Sequence, residues 1–237
     1  MVTGQVVLAL VLWHITANGL IPKPLMVAKA FAEFATTRML LDNVLTSIML
    51  TFEALLYSIL ITLFFTYLSV IPFFKTIALF IVKARYLTLT GLSFIFIILT
   101  QDGGQLKLSL LIFGMVPFFV TSFLGVILNI DKQQYDLCRT LGYTHWQTVY
   151  EVIIIGKADQ VLEILRQNFA ISWLMITMVE TYSMSQGGIG VLIYKYSKYN
   201  DLTSVLALQL VIFIIGLGFD YLLGGLRKWF FPYTNLK

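Results

Sequence analysis

Apolar residues run along this chain in blocks too long to be one face of a water-soluble fold. The blocks are residues 4–20, 43–70, 76–100, 106–128, 162–184 and 202–224. A run of about 20 predominantly apolar residues is what a helix needs to cross the hydrocarbon core of a bilayer. The pattern therefore predicts an all-α, polytopic bundle of about six transmembrane helices, forming one domain over residues 1–237. Block 43–70 is the clearest, interrupted only by Glu53. Block 76–100 is the least regular, with Lys83 and Arg85 inside it. The first block contains Gln5, His14 and Asn18, has no basic head and no small-residue cleavage site, and reads as an uncleaved span rather than a signal peptide.

Composition sharpens this picture. Of 237 residues, 59% are apolar and 12% charged, and mean hydropathy is +0.87. Soluble domains carry about twice that share of charge, which excludes a soluble enzyme or a nucleic-acid-binding module despite the basic balance. No GxxxxGK[ST] phosphate loop occurs, so the chain holds no nucleotide site of that type. Cys138 is the only cysteine, His14 and His145 lie far apart, and no GxSxG, HExxH or paired-carboxylate signature is present. A membrane enzyme acting on lipid is disfavoured accordingly. With six spans and a cytoplasmic N-terminus, lysine and arginine divide ten inside against six outside, which orients both termini to the cytoplasm.

One connection departs from the rest. Residues 129–161 form a long polar and amphipathic segment that holds seven of the 28 charged residues. Residues 132–141 have helical spacing and stop at Gly142, and Thr144 can cap a second helix from His145 with apolar positions at Val149, Val152 and Ile153. Two readings follow: a helix–glycine–helix hairpin that touches something in the cytosol, or a solvated connector.

At this loop the sequence resembles the permease subunits of binding-protein-dependent ABC importers. Their loop signature is Glu-Ala-Ala, three residues, then Gly; here Asp136-Leu137-Cys138, three residues and Gly142 stand at that spacing. The nitrate/sulfonate/taurine branch is the most similar. Its Arg, Trp and Glu at fixed steps after the glycine match Arg166, Trp173 and Glu180, and its Gly-x-Gly after the fifth span matches Gly188-Ile189-Gly190. Ile21-Pro22-Lys23-Pro24 resembles the branch's Leu-Pro-x-Pro lead-in, and Pro117 with Gly125-Val126 its fourth span. Asp136 and Leu137-Cys138 replace the signature's Glu and two alanines, and Ile155 and Asp159 stand where the family has prolines.

The resemblance implies a type I importer permease fold in the bacterial plasma (inner) membrane. It implies two ABC ATPase subunits beneath, a second permease chain (a homodimer ahead of a heterodimer) and an extracytoplasmic solute-binding protein. ATP and magnesium would act on the ATPase subunit, with no cofactor on this chain. The expected ATPase-coupling residues are Asp136, Leu137, Arg139, Gly142, Tyr143 and His145. The expected substrate is a small nitrogen- or sulfur-containing anion; a pyrimidine-like vitamin precursor, or an ATPase-independent channel or secondary transporter, are the alternatives.

Residues of the spans themselves supply candidates for the translocation pathway. Trp173, Thr177 and Glu180 share one helical face, and a carboxylate within a span needs a cavity or partner; Glu180 alternatively sits in water at the outer end. Thr121 and Ser122, after Pro117, line the same pathway or simply pack. Lys83 and Arg85 either snorkel or attract an anionic solute. Glu53 and Asp220 either pair across helices or stay protonated. Cys138 reads as a small packing residue.

Overall fold

A computed structural model describes residues 2–17, 21–69 and 72–232, and every regular element among them is helical. The elements are α1 (Val2–Thr16), α2 (Pro24–Thr36), α3 (Arg38–Leu68), α4 (Pro72–Lys83), α5 (Leu89–Leu99), α6 (Gly103–Leu128), α7 (Lys132–Thr140), α8 (His145–Thr148), α9 (Ala158–Tyr182), α10 (Ile189–Lys198) and α11 (Leu202–Phe230). A 3-10 turn, Ala84–Tyr86, follows α4, and a π-helical stretch, Val149–Ile155, joins α8 to α9.

The centre of the bundle is α6, held between α3 and α9. The face of α3 turned inward is built from small residues: Ser47, Thr51, Ala54, Ser58, Thr62 and Thr66 are all buried. They recur every three or four positions, and therefore form one ridge along the helix. In hydrocarbon, lipid tails are as apolar as leucine, so helices gain from close backbone approach rather than from burying large side chains. Across from the ridge α6 presents Leu110, Leu111, Met115, Phe119 and Phe123, which join Phe169, Trp173 and Ile176 of α9 in the main core. The hydroxyl of Ser58 meets the Met115 sulfur at 3.6 Å. A smaller cluster of Leu40, Leu192, Leu208 and Val211, with Phe31 and Phe34 of α2 packed against it, ties α2, α3, α10 and α11 together.

The outside is apolar. Phe80 is 75% exposed and Ile98 84%, with Phe64, Phe213 and Tyr221 also exposed. Such a surface suits acyl chains, and a helix crossing them satisfies its backbone internally. Among the described residues, three helices, α3, α6 and α11, are long and apolar enough to cross a membrane; a fourth span results if α4 and α5 count as one broken unit.

That unit differs from the expected continuous helix over 76–100. The segments 73–86 and 89–99 meet at 110°. The charges expected inside the span mark the break: Lys83 ends α4, and the Arg85 guanidinium donates to the Tyr86 hydroxyl at 3.0 Å while lying 5.0 Å from its ring centroid. Leu87 and Thr88 are extended, which ends one helical ladder before the next begins. The block 162–184 corresponds to α9, whose 25 residues include Glu163, Arg166, Asn168 and Glu180. The block 4–20 corresponds to the 15-residue α1, with residues 18–20 outside the described part.

Two ends of the bundle are defined by contacts. One holds the 129–157 hairpin, the start of α9 and the end of α11, where Arg227 donates to Glu163 at 2.7 Å. The other holds the start of α6 and the loop after α9, where Lys107 reaches the Ser185 and Gly187 carbonyls. If the α3 ridge sets the α3–α6 distance, Ser58→Leu will overpack it and cost about 1–3 kcal/mol. Thermal unfolding of the purified chain in detergent should register that loss. Leu56→Ala, on the exposed face of α3, should leave the midpoint almost unchanged.

Candidate functional site: the hairpin and the anchored helix behind it

The hairpin is assembled from local signals. Asp131 caps α7, its carboxylate accepting from the Gln133 amide at 3.1 Å. Gly142 ends the helix with φ +75, a left-handed conformation that costs any residue with a Cβ on the order of 1 kcal/mol or more. The Gly142 amide donates to the Arg139 carbonyl at 3.0 Å and that of Tyr143 to the Cys138 carbonyl at 3.0 Å, closing the turn. Thr144 and Gln147 then cap each other reciprocally: the Thr144 amide donates to Gln147 Oε1 at 2.8 Å, and the Gln147 amide to Thr144 Oγ1 at 3.4 Å.

On its inner side the hairpin is fastened by Cys138, buried with Ile130, Val152 and Ile153 and flanked by Tyr67, Ile127 and Tyr135. Cys138 is thus a packing residue. Burial raises the pKa of the Tyr135 phenol, keeping it a neutral donor. The outer side carries Asp136, Leu137, Arg139, Leu141, Gly142 and Tyr143, all exposed, with Leu137 and Leu141 each at 60%. The expected coupling residues Asp136, Leu137, Arg139, Gly142 and Tyr143 therefore share the free surface. His145 begins α8, and its side chain lies outside the described part.

Behind the hairpin, α9 is fixed to its neighbours by three polar contacts at seven-residue steps. Arg166 grips Asp220 of α11 with two hydrogen bonds, 2.7 and 3.3 Å, and lies 3.7 Å from Glu163. Trp173 donates its indole N–H to the Ile212 carbonyl of α11 at 3.0 Å, and Gly216 leaves room beside its ring. Glu180 is fully buried; one carboxylate oxygen accepts from Ser47 Oγ at 2.5 Å and the other from the Gly190 amide at 2.6 Å. Its position in water at the end of the helix is thereby excluded.

Around Glu180 the segment between α9 and α10 is drawn inward. Gln186, Gly187 and Gly188 all have positive φ. Asn43 accepts from the Gly188 amide at 2.8 Å and Ser47 from the Ile189 amide at 2.9 Å. The ammonium of Lys107, itself buried, donates to the carbonyls of Ser185 (2.7 Å) and Gly187 (2.9 Å). Only glycine fits at 188, where a Cβ would collide with the Glu180 carboxylate.

The remaining candidates are scattered. Thr177 is half-buried and donates to the Leu174 carbonyl at 2.9 Å. Thr121 donates to the Pro117 carbonyl at 2.6 Å, and Ser122 accepts from Asn168 of α9 at 3.2 Å. Trp173 and Glu180 are brought together in one buried column, whereas Thr121 and Ser122 belong to α6 nearer the hairpin end. Asp220 pairs across helices, and Glu53 is exposed on α3.

The family model for the inner membrane component of binding-protein-dependent transport systems matches residues 25–232. The chain belongs to that family. No curated protein matches it closely enough to count as a relative. This permease subunit of an ABC transporter is thus a multi-pass inner-membrane component, a transport subunit and not a catalytic one. Transport systems of this family include an ATPase and a binding protein as partners.

In the permease, Asn43, Ser47 and Lys107 are the residues that sequence reasoning missed. Lys107 stands at the edge of the apolar block 106–128, where a lysine needs no special partner to be explained. The signal for Ser47 was its place on the i, i+4 ridge of small residues along α3. Removing the Glu180 carboxylate orphans the Gly190 amide and the Ser47 hydroxyl, at about 1–3 kcal/mol for each buried group left unpaired. Glu180→Ala should therefore accelerate hydrogen exchange at the Ile189 and Gly190 amides by at least tenfold, with Glu180→Gln retaining part of the protection. Unchanged exchange in Glu180→Ala would contradict the anchoring role.

Proposed function

We propose that this chain forms the solute pathway of an ABC importer and that its hairpin seats on a separate ATPase. The observation that carries the reading is the rigid hairpin itself. Capped at both helices and packed inward through Cys138, it turns Leu137, Leu141 and Tyr143 away from the bundle. An apolar tip flanked by Asp136 and Arg139 needs a complementary cleft, and a channel or secondary transporter has no use for one. The hairpin continues into α9, so a push on Asp136, Leu137, Arg139, Gly142, Tyr143 and His145 would move the anchored helix as one body, as packed elements switch between discrete arrangements.

In this reading the hairpin faces the cytoplasm, both termini lie there, and the six hydrophobic blocks act as spans. ATP and magnesium act on the ATPase subunits, two per complex, and two copies of this chain pair around the pathway. Thr121, Ser122, Trp173, Thr177 and Glu180 bear on that pathway, Trp173 and Glu180 by holding α9 in place. The cargo is a small nitrogen- or sulfur-containing anion of the nitrate, sulfonate or taurine kind.

Gly142→Asp forces a side chain into the left-handed turn and adds charge at the docking face. The variant should insert and accumulate as wild type yet lose at least tenfold in ATP-driven uptake, and copurification with the ATPase subunit should fall with it. Wild-type uptake in that variant would overturn the coupling role.

A further inference from the structure

Between the hairpin and the membrane helices lies a cleft of about 430 Å³ that the coupling reading leaves unused. Much of its lining is apolar, including Leu79 of α4 and Leu124, Ile127 and Leu128 of α6. Its rim is basic and hydroxylic: Lys75 of α4, Lys132 of α7 and Tyr135. Lys75 and Lys132 are exposed, and neither has an ion-pair partner among the described residues. Leu79 and Leu128 are 45% and 63% exposed, so this apolar lining is reachable from outside the cleft.

We infer that this cleft binds an anionic phospholipid, its phosphate held by Lys75 and Lys132 and its acyl chains laid along Leu79, Leu124 and Leu128. Charge complementarity selects the occupant. Two unpaired ammonium groups above an apolar trough match a phosphodiester carried on hydrocarbon; a free phosphate would leave the trough unfilled, and a zwitterionic headgroup would offset the attraction with its own cation. Basic pockets between membrane helices take such headgroups for this reason. The walls come from two bodies, α4 and α6 on one side and the hairpin's α7 and π stretch on the other. A lipid held there would brace the hairpin against the spans. That last consequence rests on the coupling role proposed above; the binding itself does not.

The test uses the full chain in nanodiscs of dioleoylphosphatidylcholine containing a minority of dioleoylphosphatidylglycerol, with lipid retained after mild detergent extraction counted by native mass spectrometry. The wild-type chain should retain phosphatidylglycerol in preference to phosphatidylcholine. Each lysine should contribute about fivefold to that preference, so Lys75→Gln/Lys132→Gln should reduce it at least tenfold. Lys75→Arg/Lys132→Arg should keep it, which separates loss of charge from loss of fold. Lys228→Gln, at an exposed lysine on α11 outside the cleft, should change nothing. Equal retention by the double glutamine variant, or an equal loss in Lys228→Gln, would overturn the proposal. So would displacement of phosphatidylglycerol by millimolar inorganic phosphate alone, which would assign the lysines to a free anion. Retention is read without ATP or an ATPase, so failure of the coupling role would leave this result unaffected, and the reverse also holds.

Discussion

The interaction on which the rest of the permease depends is the fixing of α9 along one face. Arg166, Trp173 and Glu180 each commit a polar group to a different neighbour: the Asp220 carboxylate, the Ile212 carbonyl, and Ser47 with the Gly190 amide. At about 1.5 Å per residue the three are spaced roughly 10 Å apart, so the helix is held from a third of the way along it to its last turn. Through these contacts α9 is joined to α11, α3 and α10.

Such contacts are strong here because of where they lie. An unpaired carboxylate or ammonium in a low-dielectric bundle is costly, and a partly satisfied polar network is worse than an apolar core. Lys107 avoids that cost by bonding the Ser185 and Gly187 carbonyls of the loop between α9 and α10, and Glu180 by bonding Ser47 and the Gly190 amide in the first turn of α10, just past the run of positive φ at 186–188. The loop is thus shaped by charge, while the α3 ridge, a few residues away, is shaped by the absence of bulk. Ser47 belongs to both: it is small enough for the ridge and polar enough to bridge Glu180 and the Ile189 amide.

How much of this could be read from the sequence follows the range of each interaction. The hairpin was legible because its signals are local: a stop at Gly142, a capping Thr144, and apolar positions at helical spacing. The helical class and the long apolar helices α3, α6 and α11 were legible because hydropathy needs no partner. The break at 84–88 was not, because a hydropathy block averages over it, and only the capture of Arg85 by Tyr86 gives the charge a local use. Arg166 and Asp220 are 54 positions apart, and no periodicity within one helix joins them. Lys107 lay hidden for the same reason, its acceptors being carbonyls 78 and 80 residues downstream. Trp173 and Glu180 were recognised as special, but as candidate pathway residues; their commitment to internal partners emerges only when α3, α10 and α11 are placed.

The seven-residue step along α9 has a geometric result. An α-helix turns about 100° per residue, so seven residues fall about 20° short of two full turns. From Arg166 to Glu180 the line of anchors therefore winds by about 40°, a shallow left-handed thread. This is why the partner changes along the way, from α11 at Arg166 and Trp173 to α3 and α10 at Glu180. Displacement of α9 along its axis would load contacts that point in directions about 40° apart, rather than one straight seam.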